Sequence, residues 1–339
     1  MKILITGGAG FIGSHIADLH LKKGDEVFVI DNLSTSSENN IKPFLNNPKF
    51  YFEKADLLTW ANLPRQVAWA DRIYHMAAMV GMYQLLANPV ETLITNILGC
   101  ERMLSTINQN NLSARVIVAS SSEIYGPTDK ELLNEDDLLL FKSAAHSKWV
   151  YANSKFTDEI FSLAYARSKG VKVTPIRFFN TIGPRQNGFY GMVVPRFVEQ
   201  AINNETITVY GSGEQTRSFC DVRDTVVALD LIASNPAAIG EVINVGQDQP
   251  ITMNNLAKMI KRLSNSNSNI AHIPYKEAYG QEYEDILHRR PDLTKFYRFT
   301  SYHFSWHLEK TLEDLINARN DGHCATELGT RTISPKNEK

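Results

Sequence analysis

A chain of 339 residues, 43% hydrophobic and 21% charged, can bury a sizeable core as one large α/β unit or two modest domains. Its formal net charge of −2 leaves no electrostatic footprint for nucleic acid or an anionic membrane surface, so neither is an expected partner. Three separated cysteines, Cys100, Cys220 and Cys324, match no metal spacing and suit reduced thiols in a cytosol, so no metal is expected.

The chain opens with "MKILITGGAG", a short strand running straight into a glycine loop, without the long apolar stretch of a signal peptide. No run approaches the ~20 apolar residues of a membrane helix, and the expectation is a cytoplasmic protein. "FIGSHIADLHLKKG" then has helical apolar spacing and a terminating glycine. Further strands read at "EVFVI", "KFYFEKAD", "ADRIYHMAA" and "RVIVASS", with "VKVTPIRF" and "GEVINVG" later in the chain. Strand and helix alternating in this way predict an α/β fold, a doubly wound parallel sheet covered by helices on both faces. Segments 181–220 and 250–320 are more mixed and carry turn signals such as "GSGE" and "QDQP". They predict a smaller second domain made from two separated pieces. The expected division is 1–179 plus about 221–246 against 180–220 plus about 247–320, with a flexible polar tail at 321–339.

Gly7, Gly10 and Gly13 stand between the first strand and the first helix. Glycines there allow a tight turn and close approach of backbone to a pyrophosphate at the positive helix N-terminus. The second strand ends in Asp31, 18 residues past Gly13, where an acid accepts hydrogen bonds from both ribose hydroxyls of NAD and repels the 2′-phosphate of NADP. Asp56, after the third strand, can meet an adenine amino group or simply cap a helix.

"YANSK" puts Tyr151 and Lys155 four apart, on one face of a helix. A nearby ammonium and a positive nicotinamide ring both favour phenolate, so the tyrosine pKa is expected to fall from ~10 towards neutrality. Tyr151 would then act as general base on a substrate alcohol while hydride leaves for NAD.

"TGGAGFIG", "DNLS", "HMAA", "SSSEIYG", "YANSK", "RFFNTIGPRQ", "VYGSGEQTRSF" and "INVG", in that order, resemble the extended short-chain dehydrogenase/reductase family, in particular its nucleotide-sugar epimerases and dehydratases. The resemblance covers roughly residues 1–320. It implies a Rossmann-type domain, a small C-terminal substrate domain, and a tightly held NAD regenerated in each turnover. It adds Phe11, Ile12, Asn32, Leu57 and Ala77 to the cofactor contacts of Gly7, Gly10, Gly13, Asp31, Asp56, Tyr151 and Lys155. It implies a homodimer through helices within about 90–109 and 151–168. The implied substrate is a nucleoside diphosphate sugar, UDP-linked, used in surface polysaccharide or glycolipid synthesis. Asn180 would meet its diphosphate or sugar, Arg217 and Arg289 would clamp the phosphates, and Tyr210 would lie against the base. Arg290 competes closely with Arg289, and Tyr210 could equally be the end of an amphipathic strand. His75 is expected to be structural and Cys220 a buried, inert thiol.

The family reactions begin alike. Tyr151 takes the proton of the sugar 4-hydroxyl, helped by Ser121, with Ser122 beside it, and hydride leaves C4. A 4-epimerase then needs only rotation of the keto sugar. A dehydratase needs a base at C5, and a decarboxylase loses a C5 carboxylate from a 4-ketouronate. Glu123 resembles the last two versions more than the first, or it is a structural acceptor at the strand end. Ser122 departs from the Asp–Glu pair of one dehydratase subgroup. The segments "YGMVVPRFVEQAI" and "PYKEAYGQEYEDILHRRPD" resemble an epimerase-like branch, and no dedicated carboxylate clamp is visible. The sequence therefore ranks dehydration with Glu123 at C5 first, 4-epimerisation nearly level, and UDP-glucuronate decarboxylation third. A non-catalytic NAD-binding sensor is disfavoured by the intact Ser121, Tyr151 and Lys155. A simple alcohol or steroid dehydrogenase is disfavoured by the "GSGEQTRSF" segment.

Overall fold

The structure is a computed structural model, and it describes residues 1–81, 85, 87–141, 143, 149–186, 188, 192–279 and 286–320. The expected flexible tail and Cys324 lie outside these residues.

Seven strands form one parallel sheet: β1 (Lys2–Thr6), β2 (Glu26–Asp31), β3 (Phe50–Lys54), β4 (Arg72–His75), β5 (Arg115–Ser121), β6 (Lys172–Phe178) and β7 (Ile243–Val245). Their order is β7-β6-β5-β4-β1-β2-β3. Strands β1 and β5 are buried almost end to end, because helices cover both faces and every residue of a central strand must be apolar or paired. Alternation divides their side chains. Ile3, Ile5, Val27 and Val29 join one core cluster, while Leu4, Ile30, Ile73, Val116 and Val118 join another. This is the doubly wound Rossmann-like fold that the strand and helix alternation predicts.

The strand order reverses between β1 and β4. At such a point two crossover connections leave in opposite directions and open a crevice beyond the strand C-termini. The glycine loop after β1 and the serines that end β5 both lie there.

A third core cluster draws on Ile182, Phe197, Val209, Phe219, Leu256, Ile260, Leu312 and Ile316. Around it run short strand pairs, including a three-stranded sheet of Pro250–Thr252, Thr216–Ser218 and His288–Arg289. Leu293, Phe296 and Phe299 do not join this cluster but pack with the first, beneath the main sheet. The expected division had placed that stretch with the substrate domain. The spacing of these three residues marks a helical face, but not the face it covers.

Candidate active site

A cavity of ≈ 530 Å³ occupies the crevice. Its cofactor end is made of backbone. Gly7 has φ +69°, and a Cβ on it would sit 2.7 Å from the amide nitrogen of Ala77. A Cβ on Gly13 would sit 2.3 Å from the carbonyl oxygen of Gly7. The loop therefore folds back on itself and on the end of β4 at distances only glycine allows. Gly10 is the N-cap of the helix Phe11–Lys22, and no side chain caps that end. Phe11, Ile12 and Gly13, its first turn, line the cavity and keep their amide donors for an anion.

Asp31, at the tip of β2, is held from three sides. One carboxylate oxygen accepts from the amide of Ala9 at 3.0 Å, and the other from the amide of Leu33 at 2.8 Å and the hydroxyl of Ser36 at 2.7 Å. An ionised carboxylate has about four acceptor sites, so capacity remains for a ribose hydroxyl. Asn32 donates to Asp56 at 3.2 Å, and Asp56 also accepts from the amide of Leu58 at 2.8 Å. Asn32, Asp56, Leu57 and Ala77 all line the cavity. His75 is buried, bonded through Nδ1 to the Thr6 hydroxyl at 2.8 Å, and burial depresses its pKa to about 3. It is a neutral structural residue.

The catalytic end begins where β5 stops. Ser120, the first serine, turns inward and donates to Glu159 at 2.6 Å. Glu159 also takes a two-pronged ion pair from Arg177, at 2.9 Å on each arm. Removing one partner from such a buried pair costs roughly 3–5 kcal/mol. Ser121 ends the strand and caps the short helical turn Ser122–Tyr125, accepting from the amide of Glu123 at 3.2 Å. Its hydroxyl lies on the Tyr151 side of the cavity, close enough to pull the phenol pKa down. Ser121, Glu123 and Tyr151 line the cavity, and so does Ser122, which is almost wholly buried.

Lys155 is 1% exposed and donates to Asp158 at 2.9 Å. Asp158 is fully buried, and its second oxygen has no hydrogen-bond partner among the described residues. The phenol of Tyr151 departs from expectation. Burial raises its pKa above the ordinary value, while Lys155 and Ser121 pull it down and Glu123 and Asp158 push it up. The protein alone does not bring it towards neutrality. Burial is the main reason, and Asp158, which offsets part of the lysine charge, is the contributor that sequence reasoning missed. An acidic residue three places after the lysine was the available signal.

At the sugar end, Arg289 meets Glu123. Its Nη1 donates to Glu123 Oε1 at 2.6 Å, with the arginine side chain 6% and the glutamate 32% exposed. Asn180 lines the cavity at φ +25° and donates to the Ser218 carbonyl at 3.3 Å. Arg289 lines the cavity, whereas its neighbour Arg290 turns away to the Asp248 carbonyl at 2.8 Å. Arg217 pairs in register with Arg289 but donates to the carbonyls of Thr216 and Ile286, at 2.7 and 2.8 Å. Tyr210 carries the Arg196 guanidinium 3.8 Å above its ring. Neither Arg217 nor Tyr210 is among the described residues that line this cavity.

Residues 3–246 match the family model described as the NAD dependent epimerase/dehydratase family. The chain belongs to that family. It is an NAD-dependent enzyme, and the glycine cradle, the uncapped helix end and Asp31 are what this family member would use to hold the cofactor. The chain is 33% identical over 325 residues to the UDP-N-acetyl-alpha-D-glucosaminuronate decarboxylase of Bacillus cytotoxicus, covering 94% of this chain and 99% of that one. It is 36% identical over 295 residues to UDP-glucuronic acid decarboxylase 1 of Danio rerio, covering 87% of this chain and 66% of that one. Among solved structures, it resembles the UDP-glucose 4-epimerase of Thermotoga maritima with UDP-glucose, at TM-score 0.84 and 26% identity, covering 96% of this chain and 100% of the other. No helix among the described residues is long and apolar enough to cross a membrane.

Proposed function

We propose that this member of the family decarboxylates a UDP-linked uronic acid through a transient 4-keto sugar. The observation that carries the reading is the Arg289–Glu123 pair at 2.6 Å in the same cavity as Tyr151 and Lys155. Rotation of a neutral keto sugar requires no buried cation. A sugar that bears a carboxylate at C5 does, and a guanidinium matches that carboxylate in charge and planar geometry. The sequence alone showed no carboxylate clamp and ranked decarboxylation third. Arg289 supplies one, and the two decarboxylase relatives agree with the reversed order.

Tyr151 takes the C4 hydroxyl proton, with the Ser121 hydroxyl beside it in the cavity. NAD, held by the glycine loop and Asp31, would supply the hydride acceptor and donor at C4. The keto group at C4 makes the C5 carboxylate that of a β-keto acid. The C5–carboxylate bond breaks, its electron pair moves into the C4 carbonyl, and Tyr151 and Ser121 hydrogen-bond the oxygen that gains charge. Arg289 binds the carboxylate before it leaves. Glu123, in the same cavity, would relay a proton from water to C5, where it replaces carbon dioxide. Asn180 positions the sugar or its diphosphate.

The test is NMR in heavy water with UDP-glucuronic acid, UDP-N-acetylglucosaminuronic acid and UDP-glucose. Carbon dioxide release with one deuterium at C5 is expected from at least one uronate. A C4 epimer with C5 still protonated, or loss of the C6 oxygen from UDP-glucose, would replace this reading by epimerisation or dehydration.

We further propose a homodimer. Val90, Ile94 and Leu98 form an apolar stripe, 59%, 43% and 52% exposed, on the helical run that leads into Gly99–Asn110. Ile160, 50% exposed, adds to it from the helix Trp149–Lys169. Light scattering should give twice the chain mass, and Ile160→Asp should halve it. An unchanged dimer in that variant removes this face as the contact.

A further inference from the structure

Asn244 lies on edge strand β7, outside the cavity lining and fully buried. Its side chain bonds three segments: the turn that carries Glu123, the stretch that follows Arg289, and the Leu133 segment that is bonded to that stretch. Its Oδ1 accepts from the hydroxyl of Tyr125 at 2.8 Å. Tyr125 belongs to the helical turn Ser122–Tyr125, which also carries Glu123. Its Nδ2 donates to the carbonyls of Leu133 at 2.9 Å and Asp292 at 3.3 Å. Asp292 lies three residues beyond Arg289. Leu133 binds that same segment, donating to the Arg290 carbonyl at 2.9 Å and accepting from the amide of Asp292 at 2.8 Å. The amide of Asn244 itself donates to Glu135 at 2.8 Å, which holds the Leu133 segment from its other side.

We propose that Asn244 is a positioning residue that sets the distance between Glu123 and Arg289. The inference rests on the reading of that pair as the group that handles the C5 substituent. One amide joins the glutamate turn through Tyr125 and the arginine segment through Leu133 and Asp292. No alternative amide or carboxylate of this size has one acceptor and two donors in that fork. Tyr125 cannot drift independently, because the Arg177 guanidinium also lies 4.8 Å over its ring. Serine or alanine at position 244 would sever both ties at once. Lys155 is anchored elsewhere, through Asp158, and the end of β5 through Ser120 and Glu159, so the oxidation at C4 depends less on Asn244 than the sugar-end pair does.

The experiment compares Asn244→Ala and the milder Tyr125→Phe with wild-type holoenzyme. Two quantities are read for UDP-glucuronic acid: the NADH absorbance formed in a single turnover, and carbon dioxide release. C4 oxidation should stay within a few-fold of wild type, and carbon dioxide release should fall roughly 10- to 100-fold in Asn244→Ala. Tyr125→Phe, which keeps the ring and folds more safely, should show a smaller split in the same direction. A crystal structure of each folded variant gives a second readout that needs no substrate. The Arg289–Glu123 contact should open beyond hydrogen-bond reach in Asn244→Ala. If wild type releases no carbon dioxide, the decarboxylase reading fails, and the crystal structures decide the positioning role alone. A contact kept at its wild-type length, or a parallel fall of both steps, overturns the role of Asn244.

Discussion

The two ends of the cavity are held by different physics. The cofactor end is steric: Gly7, Gly13 and Ala77 approach so closely that the backbone itself is the wall. The sugar end is electrostatic: a buried guanidinium and a carboxylate, 166 residues apart in sequence, face each other across the cavity. Steric walls either admit a ligand or exclude it. In the proposed reading, the charged pair held by a hydrogen-bond network governs what happens at C5. A change at the first end should therefore remove the cofactor, and a change at the second should alter the reaction while the cofactor stays bound. Between them lies Tyr151, on which both depend.

The largest expected effect is at that shared point. Tyr151→Phe removes the proton acceptor and leaves the ring in place. Turnover should fall by about 10²–10⁴-fold while NAD remains bound. Bound NAD with full activity would show that another group takes the C4 proton. Next comes the steric end. Gly7→Ala adds a methyl 2.7 Å from a backbone nitrogen at a φ of +69°. Strain at such a position costs about 1–3 kcal/mol before any ligand is considered. The variant should be purified without NAD and regain little of it on addition. Normal NAD content would mean that the loop yields, and the steric description would fail.

How much of this was legible in the sequence follows the same divide. The cofactor end is contiguous: strand, glycine loop, helix and then Asp31 all fall within the first 31 residues, so spacing alone was informative. The pair of Tyr151 and Lys155 was legible for the same reason, being one turn of one helix. Glu123 was visible as a carboxylate, but its partner was not, because chain order says nothing of which strand end faces which. Arg289, read as a phosphate clamp, does line the cavity, and its contact with Glu123 was not foreseen, nor was the bonding of Arg217 beside it to backbone carbonyls. Tyr210 was placed by pattern near the base, and the cavity lining of the described residues does not reach it. Asn244 stood inside a quoted motif, "INVG", yet its three segments come together only in the fold.

Asp158 offers the smallest effect and the finest test of how the two ends share Tyr151. Tyr151, Lys155 and Asp158 form a buried trio that is neutral when the phenol is protonated: one ammonium, one carboxylate. Glu123 adds a further negative charge on the cavity side, and neutral Cys100 and His75 complete the titratable groups against the lysine. Asp158→Asn removes one negative charge and leaves shape almost unchanged. The trio with a protonated phenol then carries a net positive charge, which a buried site disfavours. It regains neutrality by releasing a proton from the Tyr151–Lys155 pair, and that loss belongs to the pair rather than to either group. The rising limb of the kcat/KM profile should therefore move to lower pH, by about one unit. The sign follows from the direction in the native protein, where Asp158 raises the pKa of both Tyr151 and Lys155. Activity below the wild-type limb should rise relative to the plateau, and above it the two enzymes should converge. A limb that stays in place would mean that Asp158 only anchors the helix, and a limb that moves up would mean that Lys155 loses its charge when its partner is gone.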